Sequence, residues 1–135
     1  MRLHHIGIVV PSIQESLGEL RNFIEFQSIS LPMPVATRKV NVCFLKVGEP
    51  FLELIEPQSE DSGISEFSLS GGGIHHICFE VEDIEAEVDK MVKKGAVLLV
   101  SPEKGFDERK IAFVDLKTKT RCGLIEFLEK GTTAH

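Results

Sequence analysis

His5 and His76 each stand second in a His-His pair flanked by apolar residues, Leu3-His4-His5-Ile6 and Ile74-His75-His76-Ile77, at a separation of 76−5=71 residues. Glu53 interrupts the apolar run Phe51-Leu52-Glu53-Leu54-Ile55, and Glu126 interrupts Leu124-Ile125-Glu126-Phe127, at a separation of 126−53=73. A carboxylate among apolar neighbours is costly unless it is paired or coordinates a metal. Two imidazoles and two carboxylates at matching points are a donor set for one divalent transition metal, with positions left for water or substrate; mixed N/O ligation suits Zn, Co, Ni, Mn or Fe. The candidate metal ligands are therefore His5, Glu53, His76 and Glu126. His4 and His75 point the other way by strand alternation and read as structural.

The spacing that couples these residues extends along the chain. Val10 and Val81, Ile13 and Ile84, Arg38-Lys39 and Arg109-Lys110, and Val40 and Ile111 share the offset of 71. The later change to 73 requires two extra residues in a loop of the second half. The chain is an internal duplication, and elements must be grouped accordingly.

Each half opens with a strand-like stretch. Residues 3–10 are rich in Ile and Val and end at Pro11, and alternation puts Leu3, His5, Gly7 and Val9 on one face and His4, Ile6, Ile8 and Val10 on the other. Ser12 with Glu15 is a capping-box signature, and Ile13, Leu17, Leu20 and Ile24 recur at helical spacing. The second half repeats this with Asp83 as N-cap, Ile84, Val88, Met91 and Val92 as the apolar stripe, and Gly95 as the stop. Three strand-like stretches follow each helix, at 25–30, 38–47 and 51–56, then 96–100, 109–116 and 122–128. Residues Gly48-Glu49-Pro50 and Lys117-Thr118-Lys119-Thr120 supply the hairpin connections.

The expected fold is α+β: two tandem βαβββ modules forming a curved, eight-stranded, open barrel-like sheet with helices outside and His5 and His76 facing the cleft. Residues 1–135 read as a single domain, with module one at about 3–57, a flexible linker at about 58–73 ending in Gly71-Gly72-Gly73, module two at about 74–129 and a frayed tail at 130–135.

Composition narrows the function classes. With 42% hydrophobic and 27% charged residues the chain is in the globular range, and a net charge of −6 argues against a nucleic-acid partner, which needs a basic face. No apolar run approaches the ~20 residues of a membrane span, and no charged-then-apolar signal segment opens the chain, which points to the cytoplasm. Cys43, Cys78 and Cys122 are odd in number and lack C-x-x-C spacing, as expected of free thiols in a reducing compartment. Arg38 and Arg109, at equivalent points, are candidates to bind an anionic small-molecule substrate.

The segments Leu3-His4-His5-Ile6-Gly7-Ile8, Phe51-Leu52-Glu53-Leu54-Ile55-Glu56-Pro57, Gly73-Ile74-His75-His76-Ile77-Cys78-Phe79-Glu80-Val81 with Asp83-Ile84, and Leu124-Ile125-Glu126-Phe127 together resemble the vicinal oxygen chelate (glyoxalase/bleomycin resistance/dioxygenase) superfamily. Within it they are more similar to the methylmalonyl-CoA epimerases than to the lactoylglutathione lyases (glyoxalase I). The resemblance covers residues 3–129. It implies a divalent metal on His5, Glu53, His76 and Glu126 that chelates thioester and carboxylate oxygens of the substrate, acting as Lewis acid while the proton next to the thioester carbonyl is removed. It also implies acidic proton carriers: Glu126 is the preferred acid/base, with Glu53 the second candidate. The family's other acid lies on the third strand of the first module, where this sequence has Asn41; an amide cannot exchange a proton at neutral pH, so Asn41 is read as substrate-binding. The substrate class implied is an anionic acyl thioester, and a homodimer is expected because relatives pair modules across chains. A second enzymatic reading is a lactoylglutathione lyase; a reading of another class is a non-catalytic small-molecule binding or resistance protein.

Overall fold

The computed structural model describes residues 1–105 and 108–131; the Thr132-Thr133-Ala134-His135 end of the expected tail lies outside them. The fold is mixed α+β, and the chain forms two compact units: His5–His75, and Met1–His4 together with the chain from His76 onward.

In the first unit the ladder runs β2 (Ser28–Ile29), β4 (Val40–Lys46), β5 (Phe51–Pro57) and β1 (Arg2–Val9), with β3 (Met33–Val35) also on β4. The β1–β5 pairing is parallel and the rest antiparallel, with Gly7 opposite Glu53, and Glu53 opposite Phe44. Helix α1 (Ile13–Arg21) starts at Ser12, whose hydroxyl accepts from the Glu15 amide at 3.2 Å, as the capping signature predicts. Its apolar stripe packs Ile13, Leu17 and Leu20 onto Ile8, Val10, Cys43, Leu45, Leu52 and Leu54. Alternation therefore leaves His5, Gly7, Glu53 and Phe44 on the opposite face of the strands. Ile24 falls beyond the helix and remains exposed.

The second unit repeats the plan. Its ladder is β6 (Gly73–Val81), β9 (Leu124–Glu129), β8 (Lys110–Asp115) and β7 (Val97–Lys104), with β6–β9 parallel and the others antiparallel. Asp83 caps α3 (Ile84–Lys93) by accepting from the Ala86 amide at 3.1 Å. The stop at Gly95 is a left-handed turn with φ 107°. Ile84, Val88 and Met91 pack onto Ile77, Phe79, Val81, Ala112, Val114, Ile125 and Phe127, so Cys78, Glu126 and Phe113 take the other face. Val92, expected in the stripe, is exposed.

Three elements differ from expectation. The strand expected at 25–30 shrinks to Ser28–Ile29, after which the Ser30 hydroxyl rather than a backbone carbonyl accepts from the Phe44 amide at 2.8 Å; the chain pairs with β4 again as β3, making nine strands among the described residues rather than eight. The strand expected from residue 38 begins at Val40, since Ala36–Arg38 form a 3-10 turn and Lys39 adopts a left-handed φ of 55°. The linker is not slack: it holds α2 (Ser65–Leu69), with Ser62, Ser65 and Ser68 buried and the Ser65 hydroxyl donating to the Ser59 carbonyl at 2.8 Å. Within Gly71-Gly72-Gly73, a Cβ on Gly72 would lie 2.3 Å from the Val9 carbonyl oxygen, so that glycine permits a close approach to β1. No helix among the described residues is long and apolar enough to cross a membrane.

Candidate functional site

Each unit carries one buried imidazole beside one buried carboxylate. In the first, His5 Nε2 lies 3.3 Å from Glu53 Oε1; in the second, His76 Nε2 lies 3.1 Å from Glu126 Oε1. All four residues are less than 10% exposed. The strand register explains both pairs: Glu53 sits opposite Gly7, two residues past His5, and Glu126 sits opposite Cys78, two residues past His76. A parallel first-to-last strand pairing thus brings residues 48 and 50 positions apart in sequence (53−5 and 126−76) to the same place in each module.

A phenylalanine completes each set. Phe44, opposite Glu53 on β4, meets the His5 ring edge-on at 5.6 Å between centroids, and Phe113, opposite Glu126 on β8, meets His76 at 5.3 Å. The rings pack against the imidazoles and limit their rotation. The offset here is 113−44=69, which departs from both 71 and 73 and hides the equivalence in sequence.

The buried carboxylates and imidazoles meet the chemical requirements of a divalent cation: hard oxygen and borderline nitrogen donors, burial that strengthens charge interactions, and apolar walls. Among candidates the sequence singled out, His5 and Glu53 come together, and so do His76 and Glu126.

Asn41 does not join Glu53. Its amide donates to Glu56 Oε2 at 2.9 Å, on the strand face that covers α1. Gln58 Nε2 donates to Asn41 Oδ1 at 3.1 Å. Asn41 thus belongs to a network at the start of that helix. The Glu53 side of β4 carries Val42, Phe44 and Lys46, none of them an acid. Arg38 stands on the 3-10 turn before β4, with part of its guanidinium buried. Arg109 precedes β8 and donates to Glu80 Oε2 at 3.0 Å, while Arg2 approaches Glu80 Oε1 at 3.1 Å. Burial alone would raise the Glu80 carboxyl, but the Arg109 hydrogen bond and the Arg2 charge hold it below its ordinary range. Cys43 and Cys78 are buried and Cys122 is exposed, and among the described residues no disulfide joins them. The Phe67 ring meets His75 edge-on at 5.2 Å, in keeping with a structural role.

A further duplicated feature lies three residues past each buried Glu. Glu56 Oε1 accepts from the Ile13 amide at 2.7 Å, and Glu129 Oε2 accepts from the Ile84 amide at 3.2 Å, so each module's last strand supplies an anion to the N-terminus of its own helix. Their separation, 129−56=73, matches that of Glu53 and Glu126 and was available in the sequence.

Comparison with known proteins gives the family and the fold relatives of the chain. The sequence model described as Glyoxalase/Bleomycin resistance protein/Dioxygenase superfamily matches residues 4–113. The ethylmalonyl-CoA/methylmalonyl-CoA epimerase of Cereibacter sphaeroides is 34% identical over 125 residues, covering 90% of this chain and 92% of that protein. The human mitochondrial methylmalonyl-CoA epimerase is 36% identical over 95 residues, covering 69% of this chain but 53% of its own length. A solved structure of a single-substitution variant of Streptomyces coelicolor methylmalonyl-CoA epimerase in complex with 2-nitronate-propionyl-CoA superposes with a TM-score of 0.85 at 26% identity, covering 98% of this chain and 96% of that one.

Proposed function

Because the chain belongs to the Glyoxalase/Bleomycin resistance protein/Dioxygenase superfamily, we propose that it is an epimerase acting on a 2-substituted malonyl thioester, by removing and returning the proton next to the thioester carbonyl. The observation that carries this reading is the duplicated buried set, His5–Glu53–Phe44 and His76–Glu126–Phe113, in a chain whose similar proteins include epimerases of methylmalonyl-CoA.

His5, Glu53, His76 and Glu126 would together hold one divalent cation, which when bound would polarise the thioester carbonyl and offset the negative charge that develops on its oxygen. A carboxylate also serves as proton carrier when it stands within hydrogen-bond reach of the proton it takes. Glu126 is the preferred carrier. Glu53 takes the part that the family gives to an acid on the third strand, since β4 has no acid on the face it shares with Glu53. Carriers on different modules suit a reaction that must reach both faces of one carbon. The 3.1 Å and 3.3 Å separations set the Nε2 of His76 beside Glu126 and that of His5 beside Glu53, so that each imidazole and its carboxylate could reach the same cation. Phe44 and Phe113 exclude water, which limits loss of the abstracted proton to solvent.

The test is solvent exchange. Protein reconstituted with a divalent metal is incubated with 2-methylmalonyl-CoA in deuterated water, and deuterium at the α-carbon is read by NMR. Incorporation at an enzymatic rate, lost in Glu126→Gln, is the expected result; no incorporation with any of Zn, Co, Ni, Mn or Fe would remove the epimerase reading.

A further inference from the structure

The two modules agree at their His, Glu and Phe positions and disagree in charge two residues beyond the phenylalanine. After Phe44 comes Lys46 on the same strand face; after Phe113 comes Asp115. Asp115 is committed to its own turn, accepting from the Lys117 amide at 2.8 Å with the Lys117 ammonium 3.4 Å away. Lys46 is differently placed. Its ammonium lies 5.6 Å from the centre of the Phe51 ring, and among the described residues it pairs with no carboxylate. Lys39, Lys93, Lys104, Lys110, Lys117 and Lys130, by contrast, each have one.

The register extends this into a wall. Lys46 is opposite Phe51, and Phe51 is opposite His5, so one row across β4, β5 and β1 runs from a cation to the buried imidazole. Phe51 meets Phe44 edge-on at 5.8 Å, which braces the ring beneath the ammonium. With strands about 4.8 Å apart, the backbones of Lys46 and His5 are about 10 Å apart. An ammonium resting against an aromatic face loses rotamer freedom before any ligand arrives.

A scaffold that repeats itself cannot orient a substrate with unlike ends; a position where its halves differ in charge can. We propose that Lys46 anchors an anionic oxygen group of the acyl thioester, phosphate or carboxylate, and so fixes which end of the substrate lies over the first module. This rests on the thioester reading above. In a chain of net charge −6, one cation on the face of the buried His–Glu pair also offsets the repulsion an anionic substrate would meet.

The test compares wild type, Lys46→Met and Lys46→Arg on two substrates: the 2-methylmalonyl thioester of coenzyme A, and that of N-acetylcysteamine, which has no phosphate. Lys46→Met is expected to raise KM for the coenzyme A thioester about tenfold with kcat within twofold, and Lys46→Arg to restore KM to within threefold. A merely structural role would not produce that split or that rescue. An effect confined to the coenzyme A thioester identifies phosphate as the anchored group; an equal effect on both identifies the carboxylate. Unchanged KM on both in Lys46→Met overturns the proposal. If wild type turns over neither substrate, the epimerase reading fails separately, and calorimetric binding of 2-methylmalonyl-CoA decides the anchor: about tenfold weaker binding by Lys46→Met supports it, and equal or absent binding overturns it.

Discussion

Replacing Glu56 by alanine removes two hydrogen bonds at one point of the first module. Glu56 Oε1 accepts from the Ile13 amide at 2.7 Å, and Oε2 accepts from Asn41 at 2.9 Å. Ile13 is buried, so its amide has little access to replacement water. A hydrogen bond to a charged group contributes about 1.5–3 kcal/mol, and an anion at a helix N-terminus about 0.3–1 kcal/mol more. Glu56 is itself half-buried, and water can recover part of the Asn41 bond, which brings the expected cost to about 2 kcal/mol. For a chain of this length that lowers Tm by about 8 °C, taking about 4 °C per kcal/mol. Glu129→Ala loses the single 3.2 Å bond to Ile84 and is expected to cost about half as much. Urea unfolding at constant m-value, followed by circular dichroism, reads both. The reasoning is refuted if Glu56→Ala lies within about 0.5 kcal/mol of wild type, or if Glu129→Ala is the more damaging change.

Three other perturbations have definite outcomes. Gly72→Ala forces a left-handed φ of 70° on alanine and drives its Cβ into the Val9 carbonyl, so it should cost about 2–4 kcal/mol, against about 1 kcal/mol for Gly71→Ala, where the space is open; thermal melts of the two variants give the ranking, and equal melts contradict it. The Asp61 carboxyl is lowered from 3.8 to about 2, first by the hydrogen bond from Lys39 and then by that from Ser59. A depressed acid stabilises the fold above its unfolded pKa and loses that contribution as pH falls, here between about 4 and 2; an NMR titration should place Asp61 near 2 in wild type and move it up toward its ordinary range in Lys39→Met, the Ser59 bond holding it short of a full return, and an unmoved midpoint would deny the Lys39 contribution. Phe44→Ala opens the wall beside His5, so the deuterium taken up from solvent per epimerisation should rise about tenfold, while Phe23→Ala, at an 89% exposed position, leaves it unchanged; equal ratios in the two variants would show that the ring does not protect the pair.

Much of this architecture is legible in the sequence because duplication turns weak local signals into paired ones. The His and Glu positions recur with an interpretable offset, and the capping residues Ser12 and Asp83 mark both helices. What escaped notice has physical reasons. Helix α2 is five residues long and buries serines, so no apolar periodicity announces it. The strand expected at 25–30 ends where the Ser30 hydroxyl takes the Phe44 amide in place of a backbone carbonyl, a competition visible only once the ladder partner is known. The resemblance reads Asn41 as substrate-binding, whereas register puts it opposite Glu56 and toward α1, a distinction that rests on one residue of strand parity. Arg109 offered an apparently available charge, which the fold commits to Glu80, a partner 29 residues earlier in the chain. The Phe44 and Phe113 walls needed the register of β4 and β8, since their offset matches neither of those that relate the other paired positions.

The claim on which the account turns is that two His–Glu pairs, one from each module, serve a single cation. Metal-stripped protein titrated with Zn, Co, Ni, Mn or Fe in a calorimeter measures this directly, with elemental analysis of the gel-filtered product as the count. One equivalent per chain, lost both in His5→Ala and in His76→Ala, is the result expected of a shared ion. Two equivalents in wild type with one surviving in each variant, or none under any condition, would contradict it.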